Sequence, residues 1–301
     1  MVPITAVIAI KNEANNLERC LSALDGWITE AVVADSQSTD GSQEIAQAHG
    51  ATLLQFHYQG GWPKKRQWVL DTYAIQTPWV LLLDADERVT EAVKREIETA
   101  ITQQEYAGFR IKLDNIFMGV TLTHGDFSPY KTCLFRTGQG RFEQRLQEQT
   151  THMADMEVHE HVKLDGPSRA LKHGLEHRNV NTLSRYILKH NEYSNWEAPL
   201  MRQLKHGALE HDELPPRLFG GTQAQRRRWL KHKLFFMPGF SLLMFVYHYL
   251  LRGGCLHGAA GFYYAAFQAI QRFHIKAKVR ELELIAQYGS ANPPPEELKR
   301  R

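Results

Sequence analysis

Cysteine is scarce in this chain of 301 residues: Cys20, Cys133 and Cys255 lie far apart and form no Cys-x-x-Cys pair. That spacing excludes a disulfide framework and a thiolate zinc site and points to a reducing compartment. Gly-x-Gly-x-x-Gly and Walker loops are both missing, so the common glycine-rich phosphate cradles are excluded. Without a Gly-x-Ser-x-Gly elbow there is no support for Ser-His-Asp hydrolysis. His152, His159, His161, His173 and His177 invite a zinc reading, but no HExxH helix or well-spaced third and fourth ligand accompanies them. Val7-Ile8-Ala9-Ile10 is cut short by Lys11, so no export signal is expected. Internal repeats and long low-complexity linkers are absent too.

What is present is a globular composition. Hydrophobic residues make up 43% and charged residues 23%, which indicates neither disorder nor a polytopic membrane protein. The net charge of +3 is mild, but the basic residues gather after position 200, and that asymmetry matters more than the total.

Along the first hundred residues short apolar runs alternate with helical spacing. Ile4 to Ile10, Ala31 to Ala34, Ala51 to Phe56 and Pro78 to Leu83 read as strands; Leu17, Cys20, Leu21 and Leu24, then Ile45 and Ala46, then Glu91 to Ile101 read as helices. Such alternation implies βαβ units and a mostly parallel sheet. After position 105 the strand-like Tyr106 to Leu113 and Lys131 to Arg136 suggest a smaller mixed or antiparallel section, followed by an extended Arg169 to His177 and a helix from Thr182.

The run Trp79-Val80-Leu81-Leu82-Leu83-Asp84-Ala85-Asp86-Glu87 ends in three carboxylates and reads as a buried strand delivering acid to a cleft. Alternation along an extended segment predicts Asp84 and Asp86 on the same side. Two hard oxygen ligands suit Mg²⁺ or Mn²⁺ shared with substrate phosphates; the alternative is that the acids solvate a strand end.

In the last third, the basic stretch Gln225 to Lys233 precedes Leu234 to Leu251, where Pro238-Gly239 is expected to break a helix. An aromatic, apolar face flanked by Lys and Arg predicts association with an anionic membrane interface, the alternative being a helix packed on the core. Pro215-Pro216 marks the expected boundary, giving a domain over 1–214 and a helical, membrane-associating region over 215–301. Arg226-Arg227-Arg228 has no nucleic-acid module around it, so nucleic acid is not an expected partner.

Three loops, Lys11-Asn12-Glu13, Asp35 to Ser42 and Asp84-Ala85-Asp86, converge on one sheet edge, with Val158-His159-Glu160 downstream. In that order they resemble the family 2 glycosyltransferases of GT-A fold, over about the first two hundred residues, and among them bacterial transferases that extend lipopolysaccharide core or exopolysaccharide. The resemblance implies a Rossmann-like sheet flanked by helices and an inverting transfer of a hexose from a nucleotide sugar, a UDP-sugar by preference, to a glycan or lipid-linked acceptor. It implies Asn12, Glu13 and Asp35 at the nucleotide, Arg66 near the diphosphate, Asp84 at ribose or an ordered water, Asp86 on Mg²⁺ or Mn²⁺, and His177 closing on the diphosphate. Glu160 is the implied base, with Asp155 and Glu157 as rivals. The family often has Arg-Asn where this chain has Arg66-Gln67. Ser38-Thr39-Asp40-Gly41 reads as turn and cap chemistry and Glu87 as a structural acid. The expected location is cytoplasmic, at the inner membrane face. Two alternatives are a catalytically silent sugar-nucleotide-binding or tethering protein on the same scaffold, and a sugar-phosphate nucleotidyltransferase.

Overall fold

The protein is described from a computed structural model over residues 1–144, 155, 160–178, 182–206 and 215–294. The apolar runs form strands as their β-branched content predicts. β1 (Val2–Ile10), α1 (Ala14–Ser22), β2 (Ile28–Asp35), α2 (Ser42–Ala48), β3 (Thr52–Gln55), α3 (Lys65–Thr72) and β4 (Trp79–Asp84) make successive βα units. The two-residue β5 (Glu87–Arg88) and α4 (Glu91–Ala100), capped by Thr90, follow. Next come β6 (Gly108–Phe117), β7 (Val120–Thr121), β8 (Tyr130–Arg136), β9 (Gly140–Phe142), β10 (Val162–Leu164) and β11 (Ser168–His177).

The sheet order is β3-β2-β1-β4-β8-β6-β11-β5, with β7 on β6 and β9 paired with β10 separately. β3, β2, β1 and β4 are parallel, while β8 enters antiparallel between β4 and β6. The expected α/β architecture, including the antiparallel section after position 105, is therefore the observed one. The strand order reverses at β1, which places a ligand crevice beyond the carboxyl ends of β1 and β4. Leu81, Leu82 and Leu83 are buried on both faces of the sheet. At about 1.5–3 kcal/mol per buried leucine, they fix where β4 ends and so where its acids start.

The remaining helices are α5 (Leu183–Lys205), α6 (Gln223–Leu234), α7 (Phe240–Val246) and α8 (Gly258–Tyr288). Thr182 caps α5, and Thr222 with Gln225 forms a capping box on α6. As expected, Pro238-Gly239 interrupts the apolar run: Gly239 takes φ 70° and opens α7, which continues through a π-helical turn over Tyr247–Leu251. Ala198 and Met201 of α5 share a core with Phe235, Phe240, Ile275 and Val279, and Tyr186 of α5 meets Phe117 at the end of β6.

Three cations of the basic run of α6 are paired with carboxylates, and one of them, Arg228, is buried. Arg228 pairs bidentately with the fully buried Glu143 at 2.6 and 2.7 Å, Arg227 with Asp126 at 2.9 Å, and Lys231 with Glu197. Arg226 and Lys233 stay exposed. The turn between α7 and α8 displays large apolar side chains, Leu251 at 72% and Leu256 at 70% exposure, flanked by Leu242, Leu243 and Leu250. Among the described residues no helix is long and apolar enough to cross a membrane.

Candidate active site

The parallel register sets Ile10 opposite Asp35 and Ala9 opposite Asp84, so the first three loops meet beyond β1. Asn12 adopts φ 55°; its backbone N–H donates to Ser38 Oγ at 2.8 Å, and its Oδ1 accepts from the Thr39 N–H at 2.9 Å. The Glu13 N–H donates to Ser42 Oγ at 2.9 Å, and the Ala14 N–H to Asp40 at 3.0 Å. The Ser38–Ser42 stretch is thus turn chemistry, and it also clamps the first loop. Asp35 is fully buried and accepts from the Ser38 N–H, from Gln43 Nε2 at 2.9 Å and from Gln55 Nε2 at 3.1 Å. A base N–H would have to displace one of those donors. Burial raises the pKa of Glu13, and Asp86 adds to that against the pull of Lys189.

The two acids after β4 part company. The strand ends at Asp84 and a turn carries Ala85 and Asp86, so the alternation that predicts a shared side does not extend to Asp86. Asp84 meets Arg66 Nη2 and Lys131 Nζ, the latter at 3.0 Å. Burial alone would raise its pKa, but Arg66 and Lys131 outweigh that and hold it ionised. Glu87 is fully buried, accepts the Asp84 N–H at 2.9 Å and pairs with Lys131, the structural role expected of it. Asp86 faces His177, whose Nε2 lies 3.4 Å from Oδ2. Its burial is likewise outweighed, chiefly by His177, and its pKa falls. Asn115 donates its amide to the Phe127 carbonyl, which leaves Oδ1 to accept from His177 Nδ1–H and turns Nε2 toward Asp86.

Two donors each about 2.1 Å from one ion and at right angles to it stand roughly 3 Å apart, close to the Asp86–His177 separation. The pair fits a divalent cation that completes its shell with phosphate and water, and the imidazole favours Mn²⁺ over the purely oxygen-loving Mg²⁺. Among the described residues no group of three or more such side chains gathers.

Lys64, Lys65 and Arg66 at the start of α3 are all buried, and each meets a carboxylate from a different segment. Lys64 Nζ lies 2.6 Å from Glu160, Lys65 Nζ 3.0 Å from Asp155, and Arg66 reaches Asp84. The Glu160 side chain is wholly enclosed. Asp155 also accepts from Ser36 Oγ, and its pKa falls because Lys65 outweighs its burial. Glu157, His152 and His159 lie outside the described residues.

A cavity of about 870 Å³ opens over this edge. Asn12, Glu13, Asp86, Asp155 and His177 line it, whereas Asp35, Arg66, Asp84 and Glu160 do not. Its opposite wall is α5, which presents Arg185, Lys189 and Tyr193. Tyr193 and Asp86 raise the Lys189 pKa against the effect of burial. Arg185 and Lys189 were missed in the sequence, although their spacing of one helical turn was a usable signal. Beyond them the cavity becomes apolar, with Phe117, Met118, Leu183, Tyr186 and Tyr264.

The model of Glycosyl transferase family 2 matches residues 5–155. The chain is 26% identical to the lipopolysaccharide core biosynthesis glycosyltransferase LpsC of Rhizobium meliloti, over 92% of each chain. It is 27% identical to an uncharacterized glycosyltransferase of Rickettsia bellii, over 93% of this chain and 87% of the other. Among solved structures it is similar to S. aureus TarS 1-349, with 13% identity and a TM-score of 0.47, over 94% of this chain and 91% of that one.

Proposed function

The chain belongs to the family 2 glycosyltransferases, and on that premise we propose that it is an inverting transferase moving a hexose from a UDP-sugar to a glycan or lipid-linked acceptor of the cell envelope. The observation that carries this reading is the cavity that brings Asp86, His177, Glu13 and the α5 cations together at the switch point of the sheet. The relation to LpsC, which spans nearly the whole of both chains, supports lipopolysaccharide core as the setting.

In this reading the nucleotide lies over Asn12 and Glu13, on a floor held in shape by Asp35. Asp86 and His177 Nε2 hold Mn²⁺ or Mg²⁺, and Arg185 and Lys189 face the diphosphate from α5. An ion held there would supply Lewis-acid neutralisation of charge on the departing diphosphate. Asp84 and Arg66 act indirectly: their mutual pairing keeps the turn that carries Asp86 in place. A carboxylate on the acceptor side takes the proton from the attacking hydroxyl. Glu160 is the proposed base, and Lys64, 2.6 Å away, fixes its place. A second reading gives that role to Asp155, because Asp155 lines the cavity and Glu160 does not.

The protein also binds the cytoplasmic face of the membrane through the turn between α7 and α8, with Leu251 and Leu256 entering the interface. Between Leu214 and Arg280 there is no Asp or Glu, so this stretch itself carries no charge that repels anionic headgroups. Arg227, Arg228 and Lys231 are already engaged by carboxylates, which leaves Arg226 and Lys233 of α6 to face headgroups beside the apolar turn. Hydrolysis of UDP-sugars by purified protein, with Mn²⁺ or with EDTA, tests the enzymatic part of the proposal.

A further inference from the structure

From the contacts of α1 we infer that Arg19 is the positioning residue that holds Asp86 and His177 at ligand distance; the inference rests on reading those two as the cation site. Arg19 Nη1 donates to Glu176 Oε1 at 2.6 Å. Nη2 donates to the Arg178 carbonyl at 2.6 Å and to the Asp86 carbonyl at 3.3 Å. These acceptors bracket the ligand pair: Glu176 and Arg178 flank His177, and the third is the backbone of Asp86 itself.

The pair needs such a brace. Asp86 sits in a turn and His177 at the end of β11, and β5 and β11 are joined through two residue pairs only, Arg88 with Glu176 and Glu87 with His177. The Arg178 N–H adds one bond to the Asp86 carbonyl at 2.9 Å. Arg88 grips the second oxygen of Glu176 at 2.5 Å, so two guanidinium groups fix a single carboxylate beneath the site. The planar fork of Arg19 meets three acceptors at set angles, which a lysine cannot do. Its side chain is a quarter exposed, and ion pairs of that kind add little to folding stability. Its consequence falls on geometry instead: a site with two protein ligands from separate segments binds an ion only as well as their separation is held.

The experiment is a Mn²⁺ titration of the full chain in the presence of UDP, read from the free-ion signal in electron paramagnetic resonance, beside UDP binding in EDTA. Loss of a group that orients a ligand typically weakens metal affinity by about 10- to 100-fold, and that is the loss expected for Arg19→Met, with a smaller one for Arg19→Lys. UDP binding in EDTA stays as in the parent protein. Unchanged Mn²⁺ affinity in Arg19→Met overturns the inference, as does an equal loss of metal-free UDP binding. Asp86→Ala separates the two levels: if it keeps parental Mn²⁺ affinity, the cation site is misread, whatever Arg19 does. Should Arg19→Met fail to fold, Glu176→Gln loosens the same brace and must weaken Mn²⁺ binding for the inference to stand.

Discussion

His177 Nε2 lies 3.4 Å from Asp86 Oδ2, although one residue closes β11 and the other sits in the turn after β4. Asn115 takes up the other ring nitrogen, so the imidazole has one nitrogen left for the cavity and that nitrogen faces a carboxylate. Of the two acids after β4, Asp86 alone reaches the cavity, while Asp84 is engaged by Arg66 and Lys131. The division of labour between two acids one residue apart follows from the strand ending at the first of them.

The base is decided by comparing Glu160→Gln with Asp155→Asn. The account expects Glu160→Gln to lower the rate of UDP-sugar hydrolysis by about 10²–10⁴-fold, the usual worth of a general base. UDP binding, measured by calorimetry, should survive. If Asp155→Asn shows that pattern and Glu160→Gln remains active, the role passes to Asp155, as its place in the cavity allows.

Lys189→Met removes a cation from the α5 wall facing Asp86. A lost electrostatic contact to charge that develops in the transition state costs on the order of 10²-fold in kcat. Lys189→Arg should recover part of it. Steady-state hydrolysis with saturating Mn²⁺ gives the comparison, and a parental kcat in Lys189→Met would remove α5 from the mechanism.

Membrane contact is read by flotation with vesicles containing anionic lipid. Parent protein should float, and Leu251→Glu combined with Leu256→Glu should stay at the bottom of the gradient while binding UDP normally. Both side chains are more than two-thirds exposed, so the changes cost the fold little. Flotation of the double variant would place the contact elsewhere.

His248 makes the docking of the C-terminal helices sensitive to acid. It is buried, its Nδ1 bonds the Gly125 carbonyl at 2.7 Å, and it stacks on Phe127. Burial, aided by Arg272 and Arg227 against the pull of the Gly125 carbonyl and Asp126, pushes its pKa down to about 4 from 6.5. The unfolded chain therefore takes up a proton before the folded one does. Its stabilisation is intact above pH 6.5 and is lost as pH falls toward 4, by at most about 1.4 kcal/mol per pH unit. Thermal midpoints across that window should fall more steeply for the parent than for His248→Gln; equal slopes would rule the effect out.

Much of this was legible in the sequence because apolar runs and helical spacing are local. The parallel strands, the antiparallel section, the helix from Thr182 and the break at Pro238-Gly239 all follow from residues a few positions apart. Side-chain partners were not legible. Lys64 and Glu160, or Arg228 and Glu143, meet across long stretches of chain, so a base read as facing an acceptor lies enclosed and one arginine of a basic run read as facing lipid turns inward to a buried carboxylate. Strand alternation puts Asp84 and Asp86 on one side only if the strand runs two residues beyond its actual end at Asp84. Along α5 the aromatic positions form the most evident stripe, and it takes the fold to show that Arg185 and Lys189 face the cavity.

The most direct test of the central claim is nucleoside diphosphate release from a panel of UDP- and GDP-sugars by the parent protein and by Asp86→Ala, with Mn²⁺ or with EDTA. The account predicts release by the parent from a UDP-sugar, dependent on Mn²⁺, and its loss in Asp86→Ala protein that remains folded. Undiminished release in EDTA, or full metal-dependent turnover by Asp86→Ala, would contradict it.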